Sequence, residues 1–113
     1  MECIFCQIAS GKIPADIVHQ DKEVVAFRDI NPQAPVHILV IPRRHIPSLD
    51  QLKEDELPVL THMIEVASQL AKKEGVAQKG YRLAINCGEE GGQFVPHLHM
   101  HLLGGRRLSG QLG

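Results

Sequence analysis

The chain has 113 residues, of which 43% are apolar and 22% charged, and its formal net charge is −1. This supports one globular domain over residues 1–113, and the near-neutral charge excludes a basic field for a nucleic acid polymer. The longest apolar run, residues 38–42, is far below the roughly 18 residues of a membrane span, so no membrane partner is expected. Three cysteines make no disulfide framework, and Met1-Glu2-Cys3-Ile4-Phe5-Cys6 has no basic segment followed by an apolar stretch. Both features predict a cytoplasmic protein. Seven histidines, against one Tyr and no Trp, are the unusual feature.

In chain order, Ile17-Val18-His19-Gln20 and Val24-Val25-Ala26-Phe27-Arg28 read as two strands joined by the turn Asp21-Lys22-Glu23. Asn31-Pro32-Gln33-Ala34-Pro35 is a loop that two prolines fix. Residues 37–41 are apolar on both parities, which suits a central strand covered on both faces, and Pro42 ends it. Residues 57–73 carry the helical pattern, with Leu57, Leu60, Ile64, Ala67, Leu70 and Ala71 at three- and four-residue spacing. Glu54, Asp55 and Glu56 are placed in its first turn, Pro58 must lie there too, and Gly75 stops the helix. Residues 81–86 read as a strand, followed by the glycine-rich loop Gly88-Glu89-Glu90-Gly91-Gly92 and a last strand over 97–103. The expected class is α+β, an antiparallel five-stranded sheet with one long helix on one face.

His97-Leu98-His99-Met100-His101-Leu102-Leu103 is the most informative stretch. In a strand, alternate residues share a face, so the three histidines point one way while Leu98, Met100 and Leu102 point to the core. One metal ion cannot hold all three, since the outer two lie about 13 Å apart along a straight strand. An adjacent pair could bind an ion, as in a zinc-dependent hydrolase. Nucleophilic and acid–base catalysis is the other reading, because imidazole is nucleophilic at neutral pH and changes charge near it. Gly88, Gly91 and Gly92 taken alone suit a flexible hairpin turn, but they also allow backbone N–H groups to turn towards an anion, with Asn86 and Gln93 as added donors. An anion cradle beside histidines favours attack on phosphorus. His19 and His62 have no evident partner, and Cys87 suits a small buried side chain.

The heptad matches the pattern His-φ-His-φ-His-φ-φ, φ being apolar, and resembles the histidine triad (HIT) family. Three further blocks resemble it in order: Cys3-Ile4-Phe5-Cys6-Gln7-Ile8 with Gly11-Lys12-Ile13-Pro14-Ala15, residues 27–45, and the loop from Asn86 into the triad. The ending Gly104-Gly105-Arg106 resembles the HINT branch, the nucleoside phosphoramidate hydrolases. The resemblance implies cleavage of purine nucleoside 5′-phosphoramidates or related conjugates to the monophosphate. His99 would be the nucleophile that becomes nucleotidylated, with His101 and His37 supporting proton transfer. Asn86, Gly92, Gln93 and Val95 correspond to the phosphate and leaving-group region, and Asp29 to the ribose acceptor. Phe5, Ile8, Phe27 and Ile30 correspond to the base slot, although plain core also explains them. Phe94 stands where relatives often place a hydroxyl residue, which keeps open a nucleotide-binding regulatory module with little turnover. The resemblance also implies a homodimer.

Cys3-x-x-Cys6 has the spacing of half a zinc site, or of a redox pair. Resemblance to uridylyltransferase-like members implies that His45 and His97 complete a tetrahedral, structural zinc site. His97 would then belong to metal, leaving His99 and His101 for chemistry.

Overall fold

The structure is a computed structural model and describes residues 3–113; Met1 and Glu2, part of the segment read for a leader, lie outside it. Among the described residues, five strands form one antiparallel sheet in the order β1-β2-β3-β5-β4. They are β1 (Ile17–Gln20), β2 (Val24–Arg28), β3 (Val36–Pro42), β4 (Tyr81–Ala84) and β5 (Met100–Gly104). Helix α2 (Leu57–Lys73) packs on one face, and a short helix α1 (Ile4–Ala9) covers part of the other.

Two-residue periodicity divides the sheet into faces. Val24, Ala26, Ile38, Val40, Leu98, Met100 and Leu102 join Met63, Val66, Ala67, Leu70 and Ala71 of α2 in the main core. Val25, Phe27, Leu39 and Ile41 point the other way and pack against Phe5 and Ile8 of α1. The doubly covered central strand expected from residues 37–41 is thus present. Truncating Leu102, which is fully buried opposite the histidine face, is expected to cost about 3 kcal/mol, or roughly 12 °C in Tm. A Leu102→Ala shift below about 3 °C by calorimetry would contradict this packing.

Several sequence expectations are corrected, while the placing of Pro58 in the first turn and of Gly75 as the helix stop holds. The apolar stripe of α2 is centred on Met63, Val66 and Leu70, whereas Leu57 and Ile64 are about half exposed. A stripe through 59, 63, 66 and 70 faces the sheet, and Ile64 lies a further 100° round the helix. Glu54, Asp55 and Glu56 form a separate 3₁₀ turn before the helix, and Pro58 falls in its first turn. The helix ends with Gly75 at φ 78°. Val76 N–H donates to Ala71 O at 2.9 Å and Gly75 N–H to Lys72 O at 3.1 Å, the paired bonds of a left-handed cap. β3 runs through Pro42, β4 stops at Ala84, and the β5 ladder starts at Met100. His97, Leu98 and His99 therefore precede the strand, although Leu98 N–H still bonds Ile46 O at 2.7 Å.

Helix α1 has no counterpart among the sequence expectations. Six residues are too few for a periodicity signal. The trace it leaves is the i, i+3 spacing of Cys3 with Cys6 and of Phe5 with Ile8, each pair on one side of a single turn. Cys3 Sγ caps the helix by accepting Cys6 N–H at 3.3 Å.

Candidate active site and metal centre

Register brings the relay together. His37 pairs with Leu103 and Leu39 with His101, so His37 and His101 are diagonal neighbours on one face, close enough for side chains to meet. His37 Nε2 lies 2.9 Å from His101 Nδ1. Gln33 N–H donates to His37 Nδ1 at 3.0 Å. That bond makes Nδ1 an acceptor, so in the neutral ring Nε2 carries the hydrogen and donates to His101 Nδ1. His101 is left with its hydrogen on Nε2. Asp29 Oδ2 stands 3.4 Å from His37 Nε2, while Asp29 Oδ1 accepts Asn31 N–H at 2.8 Å. Arg106 Nη2 donates to Gln33 O at 2.8 Å and steadies the loop that sets this tautomer. Gln33 acts here through its backbone, which no side-chain motif could reveal.

His99 is oriented differently. Its Nδ1 lies 2.7 Å from His97 O. A carbonyl oxygen only accepts, so Nδ1 carries the hydrogen and Nε2 of the neutral ring keeps a free lone pair. Phe5 holds the ring edge-to-face at a centroid distance of 5.1 Å, and the His101 ring is also 5.1 Å away.

Burial, with His99 and His37 alongside, pushes His101 down to about 4, against the Asp29 carboxylate. Burial also lowers His37, again opposed by Asp29. Both rings are therefore neutral at pH 7, the state in which each has one donor and one acceptor. The unfolded chain protonates His101 near its ordinary 6.5, whereas the folded chain refuses that proton until about 4. The His101 contribution to stability is accordingly present above about 6.5 and is lost as pH falls from there to about 4. Tm is expected to drop across that window, less steeply in His101→Gln; equal slopes for both proteins would contradict the assignment.

The glycine loop is internally braced. Asn86 Nδ2 donates to Gly91 O at 2.7 Å, and Gly88 N–H to Gln93 Oε1 at 2.9 Å. Gln93 Nε2 donates to Pro47 O and Val95 O at 2.8 and 3.0 Å, and Gly92 N–H to Glu89 O at 3.0 Å. Several donors assigned to an anion from sequence thus bind within the loop. Gly92 has φ 81°, whereas Gly91 is required for close approach: a Cβ there would collide with Cys87 O. Val95 packs against the Phe5 cluster. Phe5, Ile8 and Phe27 lie together, at most 8% exposed, but Ile30 is 91% exposed and stands apart from them. Phe94 is 94% exposed.

Cys3, Cys6, His45 and His97 converge. Cys3 Sγ lies 3.6 and 3.2 Å from the Nδ1 atoms of His45 and His97. Cys6 Sγ lies 3.3 and 3.5 Å from the same two atoms, which are 3.2 Å apart. A tetrahedron with metal–sulfur bonds of about 2.3 Å and metal–nitrogen bonds of about 2.05 Å has S···N edges of roughly 3.6 Å and N···N edges of roughly 3.3 Å. The four side chains fit that polyhedron. His97 Nε2–H donates to Pro42 O at 2.9 Å, which leaves Nδ1 free to ligate. Burial lowers His97 to about 4, opposed by the Pro42 carbonyl and aided by His45 and His99, so the ring is neutral as a ligand requires.

A row of oriented imidazoles on one sheet face, with a convergent cluster of two cysteines and two histidines beside it, defines a small α+β protein rich in histidine chemistry. The family described as "Scavenger mRNA decapping enzyme C-term binding" matches residues 2–111. A relative named purine nucleoside phosphoramidase, from Escherichia coli (strain K12), is 51% identical over 111 residues, covering 98% of this chain and 93% of that protein. A HIT family hydrolase of Legionella pneumophila Philadelphia 1 superposes with TM-score 0.97 at 46% identity, over 99% of this chain and 100% of that one. A Zn-bound histidine triad protein of Mycobacterium smegmatis superposes with TM-score 0.80 at 30% identity, over 100% of this chain and 81% of that one. The chain belongs to the histidine triad (HIT) family.

Proposed function

We propose that this chain is a nucleotidyl hydrolase that cleaves purine nucleoside 5′-phosphoramidates or related nucleotide conjugates to the nucleoside monophosphate. The observation that carries the reading is the pair of opposed tautomers: His99 with a free Nε2 lone pair, and His101 with its hydrogen on Nε2. The 51% identity to the phosphoramidase relative supports the substrate class. His99 Nε2 attacks the α-phosphorus and forms an N–P bond as the bond to the leaving amine breaks. His101 gives its Nε2 hydrogen to the departing nitrogen while its Nδ1 takes the Nε2 hydrogen of His37, and His37 takes a proton from solvent, so that both rings stay neutral. Water then attacks phosphorus, its proton passes to His101, and the N–P bond to His99 breaks. Two easier displacements replace one difficult displacement.

Asn86 keeps one amide hydrogen beyond its bond to Gly91 for a phosphate oxygen, whereas Gln93 uses both of its own as loop frame. Asp29 takes the ribose hydroxyls and the base lies towards Phe5, Ile8 and Phe27, with Ile30 next to Asp29 in the chain and free to cover it. Gly92 and Val95 shape the leaving-group side. Cys3, Cys6, His45 and His97 hold a structural zinc, whose closed coordination leaves no position for substrate. It pins α1, and with α1 Phe5, against the sheet. The protein works as a single domain and a homodimer, with exposed Ile64 and Leu57 of α2 and the edge strand β4 as the contact. It works in the cytoplasm, where thiols stay reduced; no helix of the described residues is long and apolar enough to cross a membrane.

Brief exposure to adenosine 5′-phosphoramidate followed by mass spectrometry should find an adenylyl group on His99 and release of the monophosphate. Tight nucleotide binding with neither adduct nor release would instead favour a binding module.

A further inference from the structure

His19 and His62 meet on one carboxylate. His19 Nε2 on β1 and His62 Nε2 on α2 each lie 2.7 Å from Asp21 Oδ2. Asp21 occupies the β1–β2 turn, where its Oδ1 accepts Glu23 N–H at 2.8 Å and Val24 N–H at 2.9 Å. Those bonds fix the carboxylate and direct Oδ2 at the two rings. Arg43 Nε donates to the Asp21 carbonyl at 2.6 Å and pins the turn from the end of β3. Beyond His62, Glu65 Oε1 stands 3.6 Å from its Nδ1.

We propose that His19, Asp21 and His62 form a second metal site, for a first-row divalent cation of the Zn²⁺ or Ni²⁺ kind, remote in the fold from the catalytic row. Two imidazoles and one carboxylate are a nitrogen–oxygen set suited to such ions. The three ligand atoms lie within 4.8 Å of one another. Around bonds of about 2.0–2.2 Å, ligand atoms at angles between 90° and 109° are roughly 2.9–3.5 Å apart. The two ring-to-carboxylate distances of 2.7 Å lie just below that range, so an ion entering between them pushes each ring outward from Asp21. The side chains are 28%, 30% and 34% exposed for His19, Asp21 and His62. One side is thus open for water ligands, unlike the closed Cys3 centre.

Glu65 supplies the outer support. When His62 Nε2 binds metal, its hydrogen must sit on Nδ1, and Oε1 is the acceptor there. Asp21 is ionised throughout the working range: burial pushes its carboxyl up, but bonds from His19, Glu23, His62 and Val24 together hold it well below the usual carboxylate range. Metal uptake moves the hydrogen of each neutral ring from Nε2 to Nδ1, and a doubly protonated ring has no lone pair for a metal, so acid competes with it. Because the ligands come from the hairpin and from α2, a bound ion staples the sheet edge to the helix.

The test is calorimetric titration of Ni²⁺ into zinc-loaded protein freed of excess metal, for wild type, His19→Gln and His62→Gln. Wild type should take up one equivalent more than either variant, a difference that holds whether or not the Cys3 centre is filled. Ni²⁺ should raise Tm in wild type alone and broaden the ring proton signals of His19 and His62. Phosphoramidate turnover should match among the three proteins. Equal stoichiometry, or broadening at His37 and His101 in place of His19 and His62, would overturn the site. So would a wild-type Tm that responds to pH but not to Ni²⁺, which marks a proton-held staple only.

Discussion

Replacing His99 with Asn is expected to lower phosphoramidate turnover by at least about 10⁴-fold, since a covalent route loses its nucleophile outright. Asn can still donate to the His97 carbonyl, so the buried acceptor keeps a partner and the fold should persist. His101→Gln should cost less, about 10²–10⁴-fold, because general acid catalysis contributes that much and the nucleophile survives. The two variants differ in kind as well as size: nucleotidyl adduct should be absent in His99→Asn but detectable in His101→Gln with good leaving groups. The readouts are kcat on adenosine 5′-phosphoramidate and the intact mass after quenching. His99→Asn retaining activity within tenfold of wild type would remove His99 from the reaction, and with it the reason for the opposed tautomers.

Cys6→Ser is expected to release zinc and lower stability by on the order of 4 kcal/mol, about 15 °C in Tm. Cys6 lies on α1, whose six residues cannot hold a helix unaided. Phe5, Ile8 and the bond from Arg43 Nη1 to Ala9 O anchor it, together with the convergence of Cys3 and Cys6 on His45 and His97. Loss of the ion leaves two imidazoles and a thiol crowded at 3.2–3.6 Å without the cation that justifies their approach. The helix should loosen, and with it the Phe5 ring that meets His99 edge-to-face, so kcat should fall about tenfold even though no ligand touches substrate. Metal analysis and calorimetry read the first effect, and turnover reads the second. Zinc below a tenth of an equivalent in wild type, with Cys6→Ser unchanged in Tm, would refute a structural metal.

The elements that sequence located well are those whose period is long enough to read. β1, β2 and α2 have the expected bounds because Val24-Val25-Ala26-Phe27-Arg28 and the 57–73 pattern each repeat a side-chain preference several times. The faces of the triad were equally legible, since His alternates with Leu and Met and the buried Leu98, Met100 and Leu102 obey that alternation. Ile64 and Leu57 misled because hydrophobicity marks residues that can be buried, while the helix rotation relative to the sheet determines which ones are. Helix α1 and the exposure of Ile30 were illegible for the same reason: each depends on contacts with segments distant in sequence.

The sequence by itself determined the strand and helix periods, the polar face of His99 and His101, and the thiol pair one helical turn apart. It also held, through four blocks of resemblance in order, the family to which the chain belongs. Only the tertiary structure decided the strand order β1-β2-β3-β5-β4, which sets His37 diagonal to His101 across 64 residues of chain. It alone decided the tautomers, because the groups that fix them are the N–H of Gln33 and the carbonyls of His97 and Pro42. Every residue carries such groups, so no sequence pattern marks the ones that matter. The same holds for Asp21, an ordinary turn acid until folding brings His19 from one element and His62 from another onto a single oxygen.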